Sequence, residues 1–139
     1  MILLDTNVLS ELMRPAPSDE VVDWMVSKPA RDLYTSSITQ AEVLHGIQLL
    51  PAGKRRTAFE NAASSMFDEE FSGRVLPFGS DCAPAYARIA AARRKAGKPI
   101  SHFDAQIAAI AHSNGASIAT RNVSDFEGCG VKIINPWVT

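Results

Sequence analysis

Four acidic residues lie where predicted strands and helices of this sequence meet. Asp5 ends the first apolar segment of the chain, and Glu42 follows the second. Asp104 and Asp125 lie on either side of a later apolar segment. Carboxylate oxygens are the protein ligands that hard cations such as Mg²⁺ and Mn²⁺ prefer, and such ions can activate water and orient a scissile phosphate. If the four acids converge, the residue types indicate metal-dependent phosphodiester cleavage.

Helix capping is the alternative explanation for two of these acids. The segments Thr39-Gln40-Ala41-Glu42 and Ser101-His102-Phe103-Asp104 both fit the capping-box pattern, in which the acid reaches back to the cap residue. Each cap would stabilise its helix by roughly 1 kcal/mol. Two unpaired carboxylates ~4 Å apart would repel each other by roughly 4 kcal/mol at a surface-like dielectric. Four converging acids are therefore better explained by a bound cation than by capping.

Short polar side chains accompany the acids. Thr6 and Asn7 follow the first acid, and Thr120 and Asn122 flank the end of the fourth predicted strand. Such side chains can orient acids or metal-bound water, but they are equally common in turns and caps. The sequence leaves both roles open. His45 gives a single Glu-x-x-His pattern where di-iron bundles need two, so we expect a partly buried structural residue.

The elements that must position the acids alternate between strand and helix. This alternation predicts an α/β fold, a three-layer α/β/α domain with a central parallel sheet of four to five strands. The carboxyl ends of parallel strands meet at one edge of the sheet, where ligands bind. We predict strands at 2–4, 33–38, 74–78, 117–120 and 131–134, and helices at 8–13, 18–25, 39–50, 54–71, 81–96 and 102–113.

Each acid is predicted to lie at this carboxyl edge. Asp5 ends the first strand, Glu42 lies in the first turn of a helix, and Asp125 lies in the loop after the fourth strand. Asp104 lies in the first turn of helix 102–113, which must run antiparallel to the strands because it leads into one of them. The convergence of the four acids is an inference from this topology.

Length and composition indicate one soluble domain, residues 1–139. A chain of 139 residues can bury a core without disulfides. The net charge of −1 means that any nucleic-acid binding would depend on metal ions and a local basic patch. Cys82 and Cys129 lack zinc or redox spacing, and we expect reduced, packed residues of a cytoplasmic protein. We expect neither a signal peptide nor a membrane span.

Four motifs of the sequence resemble PIN-domain ribonucleases, and within that family the VapC toxin group in its FitB-like branch. The motifs are Ile2–Leu12, Ile38–Glu42 with Gly46-Ile47, Phe103–Ala108 and Thr120–Phe126. No single motif is decisive, but four in order at fitting spacings are specific together. The likeness covers essentially the whole chain.

The resemblance implies a set of site residues and partners. It implies that Mg²⁺ or Mn²⁺ is held by Asp5, Glu42, Asp104 and Asp125, with Thr120 as a polar helper. It also implies an RNA substrate, a homodimer, and inhibition by a VapB-type antitoxin, so that the chain would be the toxin of a type II toxin–antitoxin pair. All four acids are present.

The first predicted helices carry several large apolar side chains. We expect most of them to be core residues and the rest to form a groove near the carboxyl edge, suited to an amphipathic antitoxin segment. The residues are Leu9, Leu12, Met13, Val21, Val22, Trp24 and Met25.

Two other interpretations remain open at this point. A phosphatase of the haloacid dehalogenase type also has an Asp at the end of its first strand, but that class needs Asp-x-Asp, and Asn7 occupies the second position. A non-catalytic α/β interaction or regulatory module would use the acids only as helix caps. RNA cleavage that is lost on metal chelation distinguishes the nuclease from both.

Overall fold

A parallel sheet forms the middle of the protein in the computed structural model, which describes residues 1–138. Its strands are β1 (Ile2–Leu4), β2 (Leu33–Ser36), β3 (Val75–Leu76), β4 (Ser117–Ala119) and β5 (Ile133–Ile134). Their order is β3-β2-β1-β4-β5, and every neighbouring pair is parallel. The predicted parallel sheet is confirmed, and β1 lies at its centre.

Helices connect the strands. They are α1 (Thr6–Leu12), α2 (Asp19–Val26), α3 (Ser37–Gln48), α4 (Lys54–Ser64), α5 (Ala83–Lys95), α6 (His102–Ser113) and α7 (Val123–Phe126). Short 3₁₀ turns precede β2 and α5, and α4 continues into a π-helical segment, Ser65–Glu70. No helix in the described part of the chain has the length and apolar character that a membrane crossing requires.

The helices cover both faces of the sheet, and each face has its own core. Consecutive strand residues point to opposite faces, so Leu3 packs with α5 and α6 whereas Leu4 packs with α1 to α4. In the same way Ile118 and Ala119 divide between the two cores. The three-layer α/β/α architecture predicted from the alternation of elements is therefore confirmed.

The two cysteines are free and buried, as predicted. Cys82 and Cys129 both belong to the core that α5 and α6 form against the sheet. Their thiols fill space in an apolar region, and the fold needs no disulfide between them.

Candidate active site

Asp5 lies at the carboxyl edge of the sheet, directly after β1. Its backbone is extended, with φ −72° and ψ 163°, and its N–H donates to the carbonyl of Ala119 over 2.9 Å. The residue is only 5% exposed. Oδ1 accepts the backbone N–H of Thr6 at 2.8 Å, while Oδ2 accepts the Thr120 hydroxyl at 2.8 Å and the Asn7 amide at 3.2 Å. Asp5 therefore caps α1 and is also fixed by the end of β4.

Thr120 connects the ends of β1 and β4. It is fully buried. Besides donating to Asp5, its Oγ1 accepts the Asn7 amide at 3.2 Å and the backbone N–H of Asn122 at 3.1 Å. The Asn7 carbonyl oxygen in turn accepts the backbone N–H of Arg121 at 3.2 Å. Of the two roles that the sequence left open, the Asn7 and Thr120 side chains orient an acid, whereas the bond between Thr120 and the Asn122 N–H belongs to the turn.

Glu42 is connected to this network through Thr6, whose Oγ1 donates to Glu42 Oε1 over 2.9 Å and lies 3.2 Å from Thr39 Oγ1. Glu42 lies in the second turn of α3, and the prediction of the first turn is wrong. The reason is that β2 ends at Ser36, whose Oγ accepts the N–H of Thr39 at 3.1 Å and caps the helix earlier than predicted. Helix capping therefore does not explain Glu42.

Asp104 and Asp125 lie on the other side of the sheet's central strand from Glu42. Asp104 is half-buried in the first turn of α6, and the hydroxyl of the N-cap Ser101 accepts its N–H at 3.1 Å. Asp125 is exposed and lies on α7. The prediction of a loop at Asp125 is wrong, because the chain after β4 forms a helical turn whose Phe126 is buried in the core.

The environment of Asp5 disfavours its ionised form. Burial raises the pKa of Asp5 from its ordinary value of 3.8 to about 6. The hydrogen bonds from Thr120 and Thr6 act against this rise, and the negative charges of Asp104 and Glu42 add to it. Asp5 therefore lies within electrostatic reach of two further acids.

The environment of Asp104 acts in the same direction. Burial raises the pKa of the Asp104 carboxyl, the Ser101 hydroxyl lowers it, the charge of Asp125 raises it, and the Arg93 guanidinium lowers it. Asp104 is thus an electrostatic neighbour of both Asp125 and Arg93. The structure brings the four acids to one edge of the sheet, in the chain of neighbours Glu42, Asp5, Asp104 and Asp125.

The four acids do not form a closed ligand shell. Within residues 1–138, no group of three or more His, Cys, Asp or Glu residues is arranged so that it could hold a metal ion. The carboxylates are near enough to influence one another's pKa, but a metal site requires more, namely that several of them lie at bonding distance from one ion. The assignment of the acids as metal ligands and catalytic residues stays a prediction.

Arg93 is a buried residue beside the site that was not predicted from the sequence. This residue is 8% exposed. Its guanidinium donates to the backbone carbonyls of Lys98 (2.7 Å), Asp125 (2.7 Å) and Glu127 (3.1 Å). One signal in the sequence could have revealed it: Arg93 follows Ala85 and Ile89 at four-residue spacing on the buried side of α5. Its charged neighbours hid that signal.

The described histidines lie outside this network. His102 Nδ1 lies 2.7 Å from the Tyr86 hydroxyl. His45 is exposed, and the expectation of partial burial is wrong. The buried residues of α3 follow the stripe of Val43 and Ile47, and His45 lies about half a turn away from it.

Two apolar cavities adjoin the first helices. One, of about 340 Å³, is lined in part by Leu12, Met13 and Met25 and lies at the start of β2. The other, of about 220 Å³, is also lined by Met13 and extends to Glu42. Only the second lies near the carboxyl edge, where a groove was expected. Of the remaining large apolar residues, Leu9, Val21 and Trp24 are buried in the core, and Val22 is half-buried.

Fold and site together define a class of protein. A parallel α/β sheet with helices on both faces binds its ligands at the carboxyl edge, and here that edge carries acids and their hydrogen-bond donors. The class is that of α/β proteins with a cluster of acids at the carboxyl ends of the parallel strands.

Comparison with known proteins gives the family. A model of the PIN domain matches residues 2–127. The chain is 44% identical over 137 residues to the VapC ribonuclease Y4jK of Sinorhizobium fredii, covering 99% of this chain and 98% of that protein. It is 40% identical to the toxin FitB of Neisseria gonorrhoeae, with 99% of each chain covered. The chain therefore belongs to the PIN-domain family, and the expected resemblance to VapC and FitB toxins is confirmed.

A solved structure agrees with these relatives in fold. The structure of FitAB bound to an IR36 DNA fragment contains a chain that superposes with a TM-score of 0.94 at 40% identity. The alignment covers 100% of this chain and 97% of that chain. Every element that carries a candidate site residue thus lies within the shared fold.

Proposed function

We propose that this protein is a metal-dependent endoribonuclease and acts as the toxin of a type II toxin–antitoxin pair. The observation that carries the proposal is the burial of Asp5 at the end of β1, beside the charges of Asp104 and Glu42. Relatives at 44% and 40% identity are named a VapC ribonuclease and the toxin FitB, which supports an RNA substrate and the toxin role. We further propose that residues 1–139 act as one domain in the cytoplasm.

Asp5, Glu42, Asp104 and Asp125 are the residues that would hold Mg²⁺ or Mn²⁺. The chemistry of the donors fits these ions, because all four side chains offer carboxylate oxygens, and the proposal requires the acids to move closer together around the ion than they lie in this structure. The raised pKa of Asp5 fits as well, since a nearby cation would favour the ionised form that burial disfavours. When bound, the metal would supply positive charge that activates water and stabilises the charge developing on the scissile phosphate.

The protein's own hydrogen bonds prepare Asp5 for this role. The Thr120 hydroxyl and the Asn7 amide bind Oδ2, and the Thr6 N–H binds Oδ1. Each donor favours the ionised carboxylate and fixes its direction. The Thr6 hydroxyl likewise fixes the direction of the Glu42 carboxylate. An acid that is oriented in advance does not have to be ordered during the reaction, so we propose Thr120 as a residue that positions Asp5.

RNA cleavage by the purified protein tests the proposal. We expect cleavage with Mg²⁺ or Mn²⁺, loss of cleavage with EDTA, and recovery when excess metal is restored. Asp5→Asn, purified in the same way, controls for a contaminating nuclease. An inactive wild-type protein in both metals would contradict the proposal and favour a non-catalytic module. Hydrolysis of a phosphate monoester without RNA cleavage would instead favour a phosphatase.

A VapB-type antitoxin is the proposed protein partner. The two cavities beside the first helices share Met13, and together they lead from the start of β2 to Glu42. An amphipathic segment could lay its apolar side chains along this surface and bring a basic side chain to the acids at its end. We propose that this basic side chain blocks the site. Homodimer formation, which the family resemblance implies, is tested separately by measuring molar mass in solution.

Binding and inhibition can be separated by changing that basic residue of the antitoxin to Ala. If the residue blocks the site, inhibition of RNA cleavage falls more than binding affinity does, because the apolar contacts of the segment remain. An equal loss of inhibition and binding would mean that the residue is only an anchor. Binding is measured by calorimetry and inhibition by the cleavage assay.

A further inference from the structure

The Arg93 side chain joins three segments of the chain around the Asp125 side of the candidate site. From α5, its Nε reaches the carbonyl of Lys98 in the connection to α6, at 2.7 Å. Its Nη1 reaches the carbonyl of Asp125 on α7 at 2.7 Å and that of Glu127, just after α7, at 3.1 Å. The same nitrogen lies 3.8 Å from Cys129 Sγ. One side chain thus connects the segment leading into Asp104 with the segment that carries Asp125.

The use of a buried arginine here needs an explanation beyond packing. Burying a guanidinium is costly unless its donors are satisfied, and within residues 1–138 Arg93 forms no salt bridge. Its bonds are to backbone carbonyls, which satisfy the buried donors without a carboxylate partner. A fixed fork of donors is well suited to holding several oxygens at once.

The segment that Arg93 holds has little structure of its own. Helix α7 has four residues, which is too short for a helix to be stable without tertiary contacts. Asp125 itself is exposed, and its position depends on the backbone on which it sits. That backbone is fixed at its start by the bond from the Asn122 N–H to Thr120, and beyond it by the buried Phe126 and the bonds to Arg93.

We propose that Arg93 is a positioning residue of the active site, which holds the backbone under Asp125 and connects it to the segment that leads into Asp104. This inference rests on the proposed nuclease function, in which both acids take part. Arg93 is buried and is not expected to touch RNA.

The test compares Arg93→Met and Arg93→Lys with Arg88→Met, an exposed arginine of the same helix. Arg93→Met removes the charge and the donors, Arg93→Lys keeps the charge but not the fork, and Arg88→Met matches the change in net charge. The measurements are kcat and KM for RNA at saturating Mn²⁺, hydrogen exchange of the backbone amides, and the melting temperature.

We expect Arg93→Met to lower kcat about tenfold to a hundredfold with KM changed less than about twofold, because a small displacement of a reacting group is costly whereas RNA binding is untouched. Arg93→Lys should lie between Arg93→Met and the wild type, and Arg88→Met should match the wild type. Hydrogen exchange should increase in residues 122–129 of the Arg93 variants more than elsewhere. If Arg93→Met does not fold, Arg93→Lys provides the same comparison.

Two results would overturn the assignment. One is a lower melting temperature with kcat unchanged in the folded protein, which would make Arg93 a purely structural residue. The other is unchanged hydrogen exchange in residues 122–129. If the wild type does not cleave RNA, the proposed function fails, while the exchange measurement still decides whether Arg93 holds the segment that carries Asp125.

Discussion

Asp5 and Asp125 are acids of the same candidate site, but the protein supports them in opposite ways. The carboxylate of Asp5 is buried and accepts hydrogen bonds from Thr6, Asn7 and Thr120. The carboxylate of Asp125 is exposed, and the residue is held through its backbone, whose carbonyl accepts from Arg93 and whose N–H donates to the carbonyl of Asn122. One acid is fixed directly through its side chain, and the other is fixed indirectly through the segment on which it lies.

The difference follows from where each acid lies in the fold. Asp5 ends the central strand, so the register of β1 against β4 determines its position before any side-chain bond forms. Asp125 lies on a four-residue helix beyond the end of β4, where no strand pairing reaches. The two acids therefore depend on different supports. The paired strand β1 positions Asp5, whereas the short helix that carries Asp125 depends on its bonds to the buried Arg93.

The largest expected effect is the loss of activity when a buried or half-buried acid of the site is neutralised. We predict that Asp5→Asn and Asp104→Asn each reduce RNA cleavage by at least about a hundredfold, the scale seen when a group that stabilises charge is removed. Both variants should fold, because the amide has nearly the shape of the carboxylate. Cleavage rates and melting curves measured on the same samples check this prediction. A variant that keeps most of its activity would show that its acid is not a ligand.

The second prediction concerns the stability of the metal-free protein, to which the buried acid contributes in a pH-dependent way. Because the pKa of Asp5 is about 6 in the folded state and 3.8 ordinarily, the folded state binds its proton more tightly. The resulting stabilisation is complete below about pH 4 and is lost as the pH rises through 6; it amounts to roughly 3 kcal/mol. The melting temperature should therefore rise when the pH is lowered from about 7.5 to about 5.5.

Two controls identify Asp5 as the source of that change. Asp5→Asn should melt at a higher temperature than the wild type at about pH 7.5 and should respond less to acidification. Adding Mn²⁺ at about pH 7.5 should stabilise the wild type in proportion to metal concentration, as expected for a ligand that binds the folded state. A melting temperature that does not respond to metal would argue against the site.

The third prediction compares the two kinds of support directly. We expect Asp125→Asn to reduce cleavage by about tenfold, less than Asp5→Asn, because solvent screens an exposed charge more than a buried one. Its stability should be close to that of the wild type at all pH values between about 5 and 8. Parallel cleavage assays and melting curves for the two variants make the comparison. Equal losses of activity would mean that burial does not distinguish the two acids.

Helix boundaries could be predicted from the sequence where a single residue was able to cap the helix. Helix α6 was predicted with its observed bounds, His102–Ser113, because Ser101 is a single clear cap and Asn114-Gly115 ends the apolar pattern. The start of α3 was misplaced because serine and threonine at positions 36, 37 and 39 all make good caps. Only the pairing of β2, which ends at Ser36, determines which of them caps the helix.

The candidate site could be predicted in part from the sequence. The order of strands and helices was enough to bring the acids to one edge, since that follows from parallel topology alone. Helix α7 was missed because four residues are too few for a helical period to be recognised. The role of Arg93 was missed because burial of a charged residue depends on carbonyls more than thirty positions away in the sequence, on which local patterns carry no information.

The last and smallest prediction concerns Thr120, which supports Asp5 without carrying charge. Thr120→Val keeps the shape of the side chain but removes the donor to Asp5 and the acceptor for Asn7 and Asn122. A hydrogen bond donated to a carboxylate stabilises its ionised form, so its loss should raise the pKa of Asp5 further towards neutrality. We expect cleavage at pH 7 and subsaturating Mn²⁺ to fall by less than about tenfold, the loss of one charge-assisted hydrogen bond.

The pH profile distinguishes this mechanism from a general loss of order. If Thr120 acts through the ionisation of Asp5, the acid limb of the activity profile moves to higher pH, and activity recovers as the pH is raised. Thr120→Ser keeps the hydroxyl and should restore the wild-type profile, although it leaves a small cavity in a fully buried position. If Thr120→Val lowers activity by the same factor at every pH, the hydroxyl affects the geometry of the site and not the charge of Asp5. The hydrogen bonds around Asp5 would then fix its position without adjusting its pKa. Asp5 and Asp125 would differ in position and burial alone.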